Sequence, residues 1–336
     1  EAKARAEAEA NAATEAAAAA TSNPAVSAPS EVAASPAVAL PTSATHTAAA
    51  AGASAAQTSA SGALHEEGRE ARAAVKAADA ARPKNSEGGQ QIRRIEMLVG
   101  QTSRVLYVVY EKAEAIMHEL TALRASYGEP SVLAGCHAMA TKVLVQGMMV
   151  AERSRANAYP LALLALSVGA RERALWPALR NAFISACPYI IPHYVARPAG
   201  ASDAEWMRAL GYAERADGKG FETKEQYYNR MSGVVSLWSV ILQARRAPVL
   251  VSEAMELQPA LNGFYCVEAS RWMARQLNQP PQRITATIIL ALLKPSAYML
   301  GTQYPRQFTK MLRYARDVYC ARSDRVGAVA SGPAGK

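Results

Sequence analysis

From about residue 91 onward, apolar residues recur three and four positions apart. In "RRIEMLVGQTSRVLYVVYEKAEAIMHELTALRASYGEP" this spacing sets Val105, Val109, Ile116, Leu120 and Leu123 on one helical face. It predicts a helical run stopped at Gly128 and Pro130. The next stretch, "SVLAGCHAMATKVLVQGMMVAERSRA", is apolar on most faces, with Ser131 as candidate N-cap. A helix of that kind belongs at the centre of its domain. "AYPLALLALSVGARER" and "ALWPALRNAFISAC" predict two more helices.

The pattern breaks at "ISACPYIIPHY". Pro188 and Pro192 each lack an amide donor and disfavour helix in the preceding residue. Residues 198–227 are polar and rich in Gly and Asp, which predicts a surface excursion with one short helix at 202–210. Helical spacing resumes in "YYNRMSGVVSLWSVILQARR", "GFYCVEASRWMARQLNQ", "ITATIILALLKPSAYML" and "YPRQFTKMLRYARDVYCARS". No run of alternating strands and no βαβ rhythm interrupts them. The fold class is therefore all-α, a degenerate HEAT-like solenoid or irregular bundle with no repeat of fixed length.

Composition changes the picture at the ends. Residues 1–90 are mostly Ala, Ser, Thr, Glu and Pro, too poor in core material to offset the entropy of ordering. They are expected to be an Ala-rich helix remnant and a disordered linker. Residues 91–322 form the helical domain, and 323–336 a flexible tail. Residues 1–90 carry 7 basic and 10 acidic side chains, against 37 and 28 in the whole chain. The helical part is thus strongly basic, which suits an anionic partner or an ordinary basic surface equally. No uninterrupted apolar run reaches membrane-spanning length.

Candidate chemistry is sparse. Cys136, Cys187, Cys266 and Cys320 are far apart and form neither a disulfide framework nor a zinc signature. No phosphate loop, HExxH or GxSxG is present. His46 and His65 fall in the linker, while His118 and His137 read as satisfied helix residues. Cys187 and His193 share the broken stretch, but a thiol between apolar neighbours is a poor nucleophile. Cys187-Pro188-Tyr189 reads as a helix end, with Cys187 a small buried residue and Tyr189 a packed ring that needs a hydroxyl partner. Catalytic and metal residues: none. Lys142, inside an apolar helix, either snorkels or binds an anion.

Six segments in order resemble one family. "ACPYIIPHY", "MRALGY", "YNRMSGVVSLWSVILQ", "ASRWMARQLNQPP", "ITATIILALL" and "YPRQFTKMLRYARDVY" are similar to the C-terminal domain of the GLFG-lethal (Gle-one) mRNA export factor family. "ATKVLVQG" matches the family's Lys-containing helix. The resemblance covers about residues 91–320. It implies a HEAT-like, MIF4G-like domain without catalytic chemistry of its own. It further implies binding and stimulation of a DEAD-box RNA-dependent ATPase, with RNA release, at the cytoplasmic face of the nuclear pore. An FG nucleoporin is a second implied partner, and translation initiation or termination factors are a third class. RNA contact is expected to be mainly indirect, with no membrane partner. A helical scaffold of the translation-initiation type that binds RNA directly is the alternative. In fungal members inositol hexakisphosphate bridges domain and ATPase through a Lys that matches Lys142, an Arg and a Lys-Lys pair. Here Ala182 takes the Arg position and Ser185-Ala186 the pair. The expectation is weak or no polyphosphate binding, unless Arg153, Arg155, Arg171, Arg173 or Arg180 compensates.

Overall fold

A computed structural model describes residues 66–82, 87–153, 158–192, 197, 200–215, 217–244 and 266–319. Helix α1 covers 66–81. The next five are α2 (Glu87–Gly100), α3 (Leu106–Tyr127), α4 (Glu129–Arg153), α5 (Tyr159–Gly169) and α6 (Leu175–Ala186). A 3₁₀ turn, Pro188–Ile190, leads to α7 (Asp203–Ala209). Then come α8 (Lys224–Gln243), α9 (Cys266–Asn278), α10 (Thr285–Gln303) and α11 (Pro305–Tyr314), which ends in a π turn, Ala315–Tyr319. Among the described residues the one extended pairing is an isolated bridge between Glu214 and Phe221. The all-α expectation holds.

Two helices form the axis. α4 packs on α2, α3, α5, α6 and α8, and α8 packs in turn on α10, α9 and α5. Buried Val132, Met139 and Val143 of α4 meet a core continued by Val234, Leu237 and Ile241 of α8. Close approach at this crossing depends on Gly233, where an added Cβ would stand 2.6 Å from the Met148 carbonyl oxygen. Glu129–Ala151 is long and apolar enough to cross a bilayer, with a mean hydropathy of 1.2, although the sequence pattern predicts no such run. The reason is packing: α4 is hydrophobic almost all round because five other helices surround it.

Several local expectations are corrected. The run from residue 91 is two helices, broken at 101–105. Val105, expected in the core, precedes α3 and is 59% exposed, whereas Val109, Ile116, Leu120 and Leu123 are fully buried. Gly128 does end α3, with φ 74° and its amide bonded to Arg124 O at 3.1 Å. Pro130 lies in the first turn of α4 rather than at a stop, because proline's missing amide costs nothing there, and Ser131 is consequently inside the helix. Residues 66–81, assigned to the linker from composition, are helical with Ala71 buried. Arg82 anchors the end of α1 on α2 through two 2.7 Å bonds to Glu96.

The last layer is α9–α11. Pro295 lies within α10, where its ring interrupts the backbone ladder. Ser296 Oγ and Ser239 Oγ of α8 both donate to Leu292 O at 2.7 Å, and the Ser239 bond ties this turn to the axis.

Candidate functional site: the open edge of the central helix

Cys187 ends α6 with an extended backbone, φ −140° and ψ 108°, its amide bonded to Phe183 O at 3.0 Å. The chain then turns through the 3₁₀ segment. Burial is complete and pushes the thiol up to about 12. Tyr189 is buried beside Tyr227, their hydroxyls sharing a hydrogen bond at 2.9 Å. Tyr227 also donates to Leu210 O at 2.7 Å and stacks on Tyr212 at 3.8 Å. Trp272 Nε1 donates to Tyr189 O at 2.7 Å. Desolvation raises the pKa of both buried phenols, so neither ionises near neutral pH. This cluster welds the loop to α8 and α9 and presents no reactive group. His193 lies outside the described residues.

Arg230 of α8 extends the weld outward. It donates to Gly211 O at 2.7 Å and to Ala186 O at 3.3 Å, and it pairs with Glu222. Glu222 in turn accepts from the Ala213 amide at 2.8 Å. Neither residue stands out in the sequence. They pair across a loop, and no helical spacing announces such a contact. Around them opens a cleft of about 850 Å³ lined by Met148, Met149, Arg215, Asp217, Glu222 and Thr223, among others.

Lys142 lies two turns before Met149 on the same helix. Its Cε lies 3.7 Å from where a Cβ on Gly100 would stand, so the stem packs on the end of α2. Gln146 Nε2 donates to Gly100 O at 3.3 Å. Val145 and Met149 continue the strip and are 45% and 55% exposed. Lys142, Val145, Gln146 and Met149 thus make one edge running from the tip of α2 to the cleft. Ala182 is buried, and Ser185 and Ala186 are half-buried.

Three of the five possible compensating cations are otherwise occupied. Arg171 pairs with Glu114 at 2.7 Å, Arg180 pairs with Glu67, and Arg173 is engaged as well. Arg155 and the side chain of Arg153 lie outside the described residues. Cys136 is buried, and desolvation raises its thiol far from reactivity. Cys320 and the side chain of Cys266 are not among the described residues. Trp238 and Trp272 are core residues. His118 is exposed on α3. His137 departs from the expectation: its Nδ1 is buried without a hydrogen-bond partner among the described residues. No group of three or more His, Cys, Asp or Glu capable of holding a metal occurs among them either.

An all-helical scaffold with an open cleft, buried Cys136 and Cys187 and an edge of mixed apolar and basic side chains places the domain in the helical-repeat class of folds. Family comparison gives the particular kind. A protein-family profile described as GLE1-like protein matches residues 70–316, and the chain belongs to that family. It is 29% identical over 185 residues to the mRNA export factor GLE1 of Danio rerio, covering 55% of this chain. The Mus musculus factor is 27% identical over 190 residues, covering 56% of this chain. The matches span about a quarter of the length of these curated relatives, 25% and 26%. Among solved structures, a complex of an S. cerevisiae Dbp5 C-terminal domain variant bound to Gle1 and IP6 has the same fold. The TM-score is 0.59 at 16% identity, over 73% of this chain and 79% of that one. A second such complex, in which Gle1 carries a substitution, gives 0.61 at 14% identity over 80% and 94%.

Proposed function

We propose that this chain acts in mRNA export as a non-enzymatic clasp for a DEAD-box RNA-dependent ATPase. Family membership over residues 70–316 carries the reading. The solved relatives of this fold, described as bound to Dbp5, support the choice of partner. In this reading residues 91–322 are the partner-binding domain, with α1 laid against it. Its exposed Val145 and Met149 meet the ATPase directly. A rigid clasp raises turnover by preferring an opened arrangement of the ATPase lobes, which also lets RNA go. The site of action is the cytoplasmic face of the nuclear pore, with an FG nucleoporin as second partner.

Inositol hexakisphosphate is at most a weak ligand of this chain. Lys142 is retained, but Ala182, Ser185 and Ala186 supply no charge, and Arg171 and Arg180 are held by carboxylates. The cation that reaches the end of α6, Arg230, is neutralised by Glu222. Each missing charge-assisted contact is worth roughly 1.5–3 kcal/mol when well placed.

Phosphate release by a Dbp5-type ATPase with RNA, with and without the full chain, tests both parts. The expected result is stimulation that changes less than twofold on adding the polyphosphate. Met149→Glu should reduce it at least fivefold while the thermal melt stays put. No stimulation by the unaltered chain sinks the activator reading, and submicromolar polyphosphate affinity by calorimetry sinks the second part.

A further inference from the structure

From Ala269 to Arg316 the sequence carries eight arginines and lysines and no aspartate or glutamate. An ordinary solvated surface intersperses the two signs. The structure gathers these residues into one layer, α9–α11, in which α9 touches both α10 and α11. α11 turns Phe308 inward, with Met311, Ala315 and Tyr319 against the same core. Arg306, Lys310 and Arg313 recur at i, i+4 and i+7 on its outer face, all exposed. On α10, Leu290, Lys294 and Tyr298 recur at i, i+4 and i+8, and Tyr298 is 86% exposed.

Arg271 and Arg316 are matched by the carboxylates just outside this span, Glu268 and Asp317. Lys294, Arg306, Lys310 and Arg313 have no ion-pair partner among the described residues; Asp317, already bonded to Arg316, feels Arg313 only through its field. Tyr298 contributes its backbone carbonyl to Thr302 Oγ1, while its ring projects into solvent. Along the α11 axis Arg306 and Lys310 sit about 6 Å apart and Lys310 and Arg313 about 4.5 Å, at 1.5 Å per residue.

We propose that the outer faces of α10 and α11 bind single-stranded RNA. Lys294, Arg306, Lys310 and Arg313 track the phosphates, and Tyr298 stacks on a base. Lys294 lies one turn from the exposed Tyr298 ring on α10, and α11 packs on that helix with three more cations; unpaired cations and an exposed aromatic ring are what a sequence-tolerant single-strand surface requires, since every base has a π-face. A duplex would hide those faces. The choice of RNA over DNA rests on the function proposed above; the strand contact itself rests on charge and the exposed ring.

Anisotropy of a labelled 15-nucleotide oligouridylate, titrated with the full chain at 50 and 200 mM salt and without any ATPase, reads the contact. Binding should be measurable at the lower salt and weaken at the higher. Replacing Arg306, Lys310 and Arg313 by Gln together should cost at least tenfold and make the log–log salt slope shallower by about 2. Tyr298→Ala should cost roughly tenfold with the slope unchanged. All four side chains are exposed, so circular dichroism melts should not move. Absence of binding at 50 mM salt, or a triple variant that binds like the parent, overturns the proposal. Polyglutamate competing as well as oligouridylate per charge, with Tyr298→Ala silent, would assign the face to an acidic protein instead. Because no ATPase is present, retained RNA binding alongside absent stimulation would defeat only the activator reading.

Discussion

Tyr227 holds three segments with one ring: its hydroxyl reaches Tyr189 and Leu210, and its face stacks on Tyr212. Tyr227→Phe should destabilise by about 1–3 kcal/mol, because the Leu210 carbonyl loses its partner, and urea unfolding should show a lower midpoint at unchanged slope. Cys187, by contrast, is inert. With its thiol pushed up to about 12 by burial, it should resist alkylation at pH 8 until the chain unfolds, followed by peptide mass spectrometry, and Cys187→Ala should leave ATPase stimulation intact. Burial lowers the His137 pKa, and Asp79 opposes that shift. The folded state then binds fewer protons than the unfolded chain between the two pKa values. Stability should fall as pH drops below about 6.5, and His137→Gln should flatten the fall between pH 7.5 and 5.5 in urea midpoints. At this scale the sequence was partly legible. Proline spacing and apolar neighbours foretold the roles of Cys187 and Tyr189, whereas the Arg230–Glu222 pair and the buried His137 nitrogen, without a partner among the described residues, depend on which segments meet in space.

At the scale of elements, the α4–α8 crossing is the tightest constraint. Gly233→Val would place Cβ 2.6 Å from a backbone oxygen, which has no rotamer with which to yield, so the helices must separate. A loss of roughly 1–3 kcal/mol is expected in thermal or urea unfolding. Sequence periodicity reported where helices lie, because an apolar stripe is a local property; α8, α9, α10 and α11 all formed where their spacing predicted. It reported ends poorly. The break at 101–105 falls within a run whose hydrophobic register continues across it, and Pro130 is equally compatible with a stop and with a first turn. Composition misled at 66–81: an Ala-rich segment lacks bulk, yet it is helical and Ala71 is buried.

For the whole molecule, the two proposals rest on residues of different helices and should separate by mutation. Met149→Glu on α4 is expected to impair ATPase stimulation while sparing RNA affinity, and the α11 glutamine variant to lower RNA affinity; stimulation and anisotropy assays on the same two proteins check this. The fold class and the candidate Lys142 were visible in sequence, but the edge that carries Lys142 was not, since Val145 and Met149 look like core until neighbouring helices fail to cover them. The central position of α4 has a consequence for biosynthesis. Its principal partner, α8, begins some seventy residues after α4 ends. At roughly 5–20 residues per second, a segment oily enough for a bilayer waits about 4–14 s beside the ribosome for the helix that shields it. During that interval the nascent chain should be held by holdase chaperones, and ribosome profiling of chaperone-bound nascent chains should show engagement beginning as α4 emerges and ending once α8 has cleared the exit tunnel.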